Sequence, residues 1–153
     1  MLVKLNRKTG DGVFTATATD LPINQESLSG PLPVVAVFGH QGRVATLQQH
    51  LPAGWTMRQA KDLDDLRPDE LILIAGATVE QVAIARAALP TRTLVVAVVD
   101  ENAPGEVVAG VLTAGADVCV RGGQPAILAG HLVAGRRRQL AGRWERLDRQ
   151  RPL

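Results

Sequence analysis

The chain has 153 residues, of which 46% are hydrophobic and 21% charged, with one cysteine and a formal net charge of +2 at pH 7. That length suits one domain around one core, and the lone Cys119 excludes an internal disulfide, which fits a reducing, cytoplasmic setting. No apolar run approaches the roughly 18 residues of a membrane span, and no apolar segment follows Lys4, Arg7 and Lys8 as a secretory signal requires.

Aromatic residues make up 3% of the chain, so the core must be aliphatic, as in buried parallel strands. Residues 136–153 hold seven arginines against Glu145 and Asp148, whereas acids outnumber bases in residues 1–135. The basic character therefore belongs to the C-terminal segment.

In chain order, Leu2–Leu5 and Val13–Thr19 alternate at period two around Asp11-Gly12, which predicts a hairpin. Residues 24–30 read as a polar linker. Val34–Phe38 predicts a buried first strand. Arg43–Leu51 predicts a helix, with Val44, Leu47 and Leu51 on one face. Trp55–Ala60 predicts the second strand, and Asp62–Leu66 allows a short helix at most. Leu71–Ala75 is the third strand. Thr78 caps a helix through Leu89, with Glu80 favourably placed in its first turn. Leu94–Val99 is the fourth strand, and Pro104 opens a helix to Ala114. Val118–Val120 is the fifth strand, and a last helix starts near Pro125. Five strands alternating with five helices predict a three-layer α/β sandwich with a parallel sheet.

Ligands of such sheets bind at the C-terminal strand ends. Here these are Gly39-His40-Gln41-Gly42, Ala75-Gly76-Ala77, Asp100-Glu101-Asn102 and Arg121-Gly122-Gly123-Gln124. The first of these loops lacks the Gly-Lys-Ser/Thr ending of a phosphate loop. Asp100 and Glu101 are adjacent carboxylates, which read more simply as acids preceding a helix. Three histidines without clustered spacing do not predict a zinc site, and Cys119 reads as inert core.

The segment Ala114-Gly115-Ala116-Asp117-Val118-Cys119-Val120-Arg121-Gly122-Gly123-Gln124-Pro125 resembles the last strand of bacterial response-regulator receiver domains. Those carry Gly-Ala-Asp, an apolar strand and a Lys-Pro turn. The resemblance covers about residues 33–135 and implies a flavodoxin-like sheet of strand order 2-1-3-4-5. It also implies where phosphoryl chemistry would sit: an acid pair for Mg²⁺ after strand one, the phosphoacceptor aspartate after strand three, a hydroxyl after strand four and a lysine after strand five. In this chain Gly39 and His40 stand at the acid pair and Ala75 at the phosphoacceptor. Val98 or Val99 stands at the hydroxyl, and Arg121 or Gly122 at the lysine.

Two further resemblances fall away on the residues. Cobalamin-binding modules share this winding and use Asp-x-His-x-x-Gly, but Phe38 occupies the Asp position before His40. Gly122-Gly123-Gln124 is the tripeptide of peptidyl-tRNA hydrolysing release factors, but Pro125-Ala126-Ile127 do not match its neighbours.

The expected organisation is an N-terminal arm over 1–30, a receiver-like domain over 31–135 and a basic helical extension over 136–153. The expected function is a non-catalytic, phosphorylation-independent pseudo-receiver without metal or cofactor. It is expected to bind a protein partner or a second copy of itself, with no specific nucleic-acid binding, since no recognition motif or stacking aromatics accompany the arginines. The resemblance implies a partner face on residues 104–114, 118–120 and 125–135. In the last helix Val133, Leu140 and Leu147 recur every seven residues with Trp144 one turn away, flanked by Arg136, Arg137 and Arg138, which predicts a docking or dimer stripe. The alternative function is a small-molecule sensor at the strand ends, with His40, Gln41, Asn102 and Arg121 as polar contacts.

Overall fold

The structure is a computed structural model that describes residues 32–122 and 124–150, with the backbone alone at residues 41, 43 and 144–150. The expected hairpin around Asp11-Gly12 and the linker 24–30 lie outside the described residues. Every element below belongs to the unit Pro33–Leu153.

Five strands form one parallel sheet: β1 (Val34–Gly39), β2 (Thr56–Gln59), β3 (Leu71–Ala75), β4 (Val95–Val99) and β5 (Val118–Arg121). Their spatial order is β2-β1-β3-β4-β5, as the resemblance implied. Three α-helices accompany them: α1 (Val79–Ala88), α2 (Gly105–Ala114) and α3 (Pro125–Gln150).

The alternation of strand side chains sends successive residues to opposite faces. Ala36, Ile72, Ile74, Val95, Ala97 and Val99 face α1 and α2, where Val82, Ala85 and Val111 meet them. Val35, Val37, Leu71, Leu73, Val96, Val98 and Val120 face the other layer, built from Val44, Leu47 and Leu51 and from Leu128 and Leu132 of α3. Both cores are almost wholly aliphatic. Side chains buried on two faces explain why these strands read as continuous apolar runs.

Thr78 caps α1 in a capping box: its hydroxyl accepts from the Gln81 amide at 3.1 Å, and the Gln81 side chain accepts from the Thr78 amide at 3.1 Å. Pro104 is the N-cap of α2 and not its first helical residue.

One expected helix is corrected, and the short one allowed at Asp62–Leu66 is a single turn. Residues 43–51 do not form an α-helix; they form two 3₁₀ turns, Gln41–Val44 and Leu47–His50. Gly42 and β-branched Val44 and Thr46 weaken a helix already near the minimum length, and Pro52 holds Leu51 extended. The burial pattern nonetheless stands, with Val44, Leu47 and Leu51 all in the core. The connection from β2 to β3 carries only the 3₁₀ turn Leu63–Asp65, so among the described residues three α-helices accompany five strands.

Two arginine clamps replace what helix packing would otherwise supply. Arg58 on β2 donates to both carboxylate oxygens of Glu70 (2.5 and 2.7 Å), to Asp65 Oδ2 (2.9 Å) and to the Asp65 carbonyl (2.5 Å). Arg86 on α1 donates to the carbonyls of Gly115 (2.9 Å) and Thr93 (3.1 Å) and to Asp117 Oδ2 (2.9 Å), which also accepts from the Val95 amide at 2.8 Å. The Gly-Ala-Asp segment thus owes its place to this clamp at the start of β4 and β5.

Helix α3 runs without a break through residues 135–136, and its 26 residues span about 39 Å. Its core-facing side is Leu128, Ala129, Leu132 and Gly135. Gly135 marks a close approach: a Cβ there would lie 2.3 Å from Leu94 Cδ2. Among the described residues, no helix is long and apolar enough to cross a membrane.

Candidate functional site

The sheet register brings the predicted positions to one level at the C-terminal strand ends. Gly39 pairs with Ala75, Ala75 with Val98, and Val99 with Arg121. Gly39 adopts φ +92°, and its open α-carbon abuts the Ala75 carbonyl; a Cβ at position 39 would sit 2.1 Å from that oxygen. The amides of Gly76 and Ala77 both donate to the Val98 carbonyl at 2.9 Å.

The paired positions at the ends of β3 and β4 carry neither a carboxylate nor a nucleophile. Ala75 is buried, and Val98 and Val99 are at most 2% exposed, one in each core. His40 is exposed and makes no side-chain cap bond to the 3₁₀ turn that it precedes. Arg121 donates to the Ala103 carbonyl at 3.0 Å, which turns it toward the β4–α2 loop. Gly122 lies at φ +72° beside Glu101. Asp100, Glu101 and Asn102 are exposed on that loop. The side chain of Gln41 lies outside the described residues. Among the described residues, no group of three or more His, Cys, Asp or Glu is arranged to hold a metal ion. Cys119 is half-buried, and burial pushes its thiol up, with the Arg121 charge acting the other way.

A cavity of about 520 Å³ opens beside the β1 and β3 ends, on the α1 side of the sheet. Phe38, Gly39, Ile74 and Ala75 form its floor, and Ile84, Ala85 and Ala88 of α1 form one wall. Leu63 and the polar residues Lys61, Asp62, Asp64 and Gln81 complete it. It exists because the β2–β3 connection supplies a single 3₁₀ turn where a helix would cover the flank of α1. Ile84 is left 55% exposed. Among the described residues, its lining does not include His40, Asn102 or Arg121, so those three do not converge on it. The cavity escaped sequence reading because it arises from a helix that is not there; the acidic run Asp62-Leu63-Asp64-Asp65 after β2 was its one visible signal.

The interaction stripe of α3 divides. Val133, Arg136 and Leu140 are partly buried, Arg137 and Arg138 are exposed, and the side chains of Trp144 and Leu147 lie outside the described residues. Val133 and Leu140 flank the core-facing line of Leu128 and Leu132 and do not continue it. On the face formed by α2, β5 and the first turns of α3, two large apolar side chains are exposed, Leu112 at 42% and Ile127 at 46%.

No family model matches the chain, and no curated protein does. Among solved structures, the fold is similar to the crystal structure of a response regulator receiver domain protein (CheY-like) from Methanospirillum hungatei JF-1. The TM-score is 0.56 at 17% sequence identity, covering 74% of this chain and 99% of that one. At that identity the likeness establishes the fold: a flavodoxin-like, receiver-type sandwich with a long C-terminal helix.

Proposed function

We propose that this receiver-like fold serves as a non-catalytic, phosphorylation-independent pseudo-receiver, a cytoplasmic interaction module that regulates or localises a protein partner and pairs with a second copy of itself. The observation that carries this reading is the Gly39–Ala75 pair. Where phosphoryl transfer to an aspartate would require carboxylates at both strand ends, one position has no side chain and the other has a methyl group. The exposed Leu112 and Ile127 support a partner face on α2, β5 and α3. The basic second half of α3 supports a contact through the helix itself. In this reading residues 1–30 are an arm and residues 136–153 an extension available to the partner.

Light scattering on the full chain is expected to give twice the 16.2 kDa monomer mass. Trp144→Glu together with Leu147→Glu is expected to return it to the monomer. A monomer at every concentration, together with Leu112→Asp and Ile127→Asp variants that change no partner interaction, overturns the proposal.

A second reading is favoured by the 520 Å³ cavity, which has the size and apolar lining of small-molecule sites. It suits a ligand with an apolar body against Phe38, Ile74 and Ile84 and a polar end at Lys61 or Asp62. In a thermal-shift screen, a stabilising ligand is expected to lose its effect in Ala88→Trp, which fills the mouth. Stabilisation that survives this substitution but disappears in His40→Ala would move the site to the strand-end loops.

A further inference from the structure

We propose that a second cavity, between the later turns of α3 and the turns entering β3 and β4, is a binding site for a small phosphorylated anion carrying about two negative charges. It lies at the N-terminal strand ends, opposite to the site above, and is independent of the function proposed there. Its volume is about 240 Å³, roughly eight times the ~30 Å³ share of one liquid water. That is room for a diphosphate or a short phosphate ester.

Three arginines line it, Arg92 from the turn before β4 and Arg136 and Arg143 from α3, against the single carboxylate of Asp69. Arg136 and Arg143 are seven residues apart, two helical turns, and therefore share one side of α3 about 10.5 Å apart along its axis. Both side chains border the same cavity and can meet one anionic ligand from the same side of the helix. Among the described residues, no carboxylate forms an ion pair with any of these three guanidinium groups. Two of the neighbours on the same helix behave differently: Arg137 and Arg138 are exposed and do not line the cavity.

The half-buried Arg136 carries the strongest demand for an anion. Burial lowers its pKa from the ordinary guanidinium range; the Asp69 charge opposes that and the like charge of Arg143 adds to it. A partly desolvated cation without a hydrogen-bonded acceptor is unfavourable until an oxyanion meets it. Gln139, also in the lining, donates through Nε2 to the Arg92 carbonyl at 2.9 Å and thereby fixes the turn that carries Arg92. Its Oε1 is buried with no donor among the described residues.

The test is calorimetric titration of the full chain with inorganic pyrophosphate and with glycerol 3-phosphate, against sodium chloride at equal ionic strength. Saturable one-to-one binding is expected for both anions. Arg143→Gln, an exposed position that leaves the core untouched, is expected to weaken it about tenfold or more, the loss of a charge-assisted bidentate contact. Arg136→Gln is expected to weaken it further with the far-UV circular dichroism unchanged, and Asp69→Asn to tighten it. Arg137→Gln and Arg138→Gln serve as charge controls and are expected to leave the affinity within about twofold. Absence of saturable heat overturns the site. So does an equal loss in the Arg137 and Arg138 variants, which would mean diffuse attraction to a basic helix. Binding of an oligonucleotide alone, insensitive to Arg143→Gln, also overturns it.

Discussion

Replacing Arg58 by methionine is expected to destabilise the domain by about 3 kcal/mol, the low end for leaving one member of a buried ion pair alone. Glu70 is 3% exposed, and its carboxylate accepts from Arg58 twice and from the Arg67 amide at 2.7 Å. Arg58 is partly solvated, which keeps the expected loss at the low end. The Arg58–Glu70 and Arg58–Asp65 bonds tie β2 to the connection that precedes β3, a stretch without a helix to hold it. The double variant Arg58→Met, Glu70→Met is expected to recover most of the loss, because the uncompensated buried charge is gone. Additive losses in urea unfolding would show that the pair acts independently and would sink this account.

The same clamp sets the response to acid. Hydrogen bonds from Arg58 lower the Glu70 and Asp65 carboxyls from their ordinary values of 4.5 and 3.8, with burial of Glu70 opposing the shift. Folded-state values below the unfolded ones mean that this stability is present above the unfolded values and is lost as pH falls through the folded ones. Without Arg58 the largest cause of that lowering is gone for both carboxyls, so the variant has less stability to lose as pH falls. Unfolding free energies are therefore expected to fall less steeply below pH 4.5, the ordinary Glu70 value, in the Arg58 variant than in the parent protein. Parallel slopes would place the charge coupling elsewhere.

The three central strands were legible because they are buried on both faces, so Val34–Phe38, Leu71–Ala75 and Leu94–Val99 announce themselves without competition from a polar side. Thr78 was legible because capping is local. Spacings of three and four residues placed Val44, Leu47 and Leu51 in the core, yet did not distinguish an α-helix from consecutive 3₁₀ turns, since both present such residues to one side. Arg58 and Arg86 left no sequence signal as clamps, because their partners lie 7 to 31 residues away and are chosen by the fold. In α3 the seven-residue count taken from Val133 followed a flanking line. Leu128, Leu132, Gly135 and Gln139 define the inward side, and counting from them would have separated Arg136 and Arg143 from Arg137 and Arg138. The Gly39–Ala75 opposition was legible residue by residue; the backbone contact that makes it hard to reverse was not.

That contact yields the second large effect. Gly39→Asp, which places a carboxylate at the end of β1, is expected to cost about 3 kcal/mol or more and to lower the Tm by on the order of 10 °C or more. At φ +92° a side-chain-bearing residue is strained, and its Cβ would meet the Ala75 carbonyl oxygen at 2.1 Å. The obstacle is backbone in a paired strand, so no rotamer change relieves it, and opening the β1–β3 ladder would break the sheet at its centre. Ala75→Asp is different: position 75 borders the 520 Å³ cavity, which has room for the longer side chain, and this variant is expected to fold. Asp62 and Asp64 line the same cavity, but among the described residues no group of acids is arranged to hold a metal ion, and in the double variant the strain at position 39 keeps the second carboxylate out of place. Neither Ala75→Asp nor the Gly39→Asp, Ala75→Asp double variant is therefore expected to yield a phosphorylated species by intact mass after incubation with acetyl phosphate and Mg²⁺. A Gly39→Asp protein with unchanged Tm would refute the steric argument. A double variant phosphorylated only in the presence of Mg²⁺ would show that this backbone can support phosphoryl transfer once the side chains are supplied.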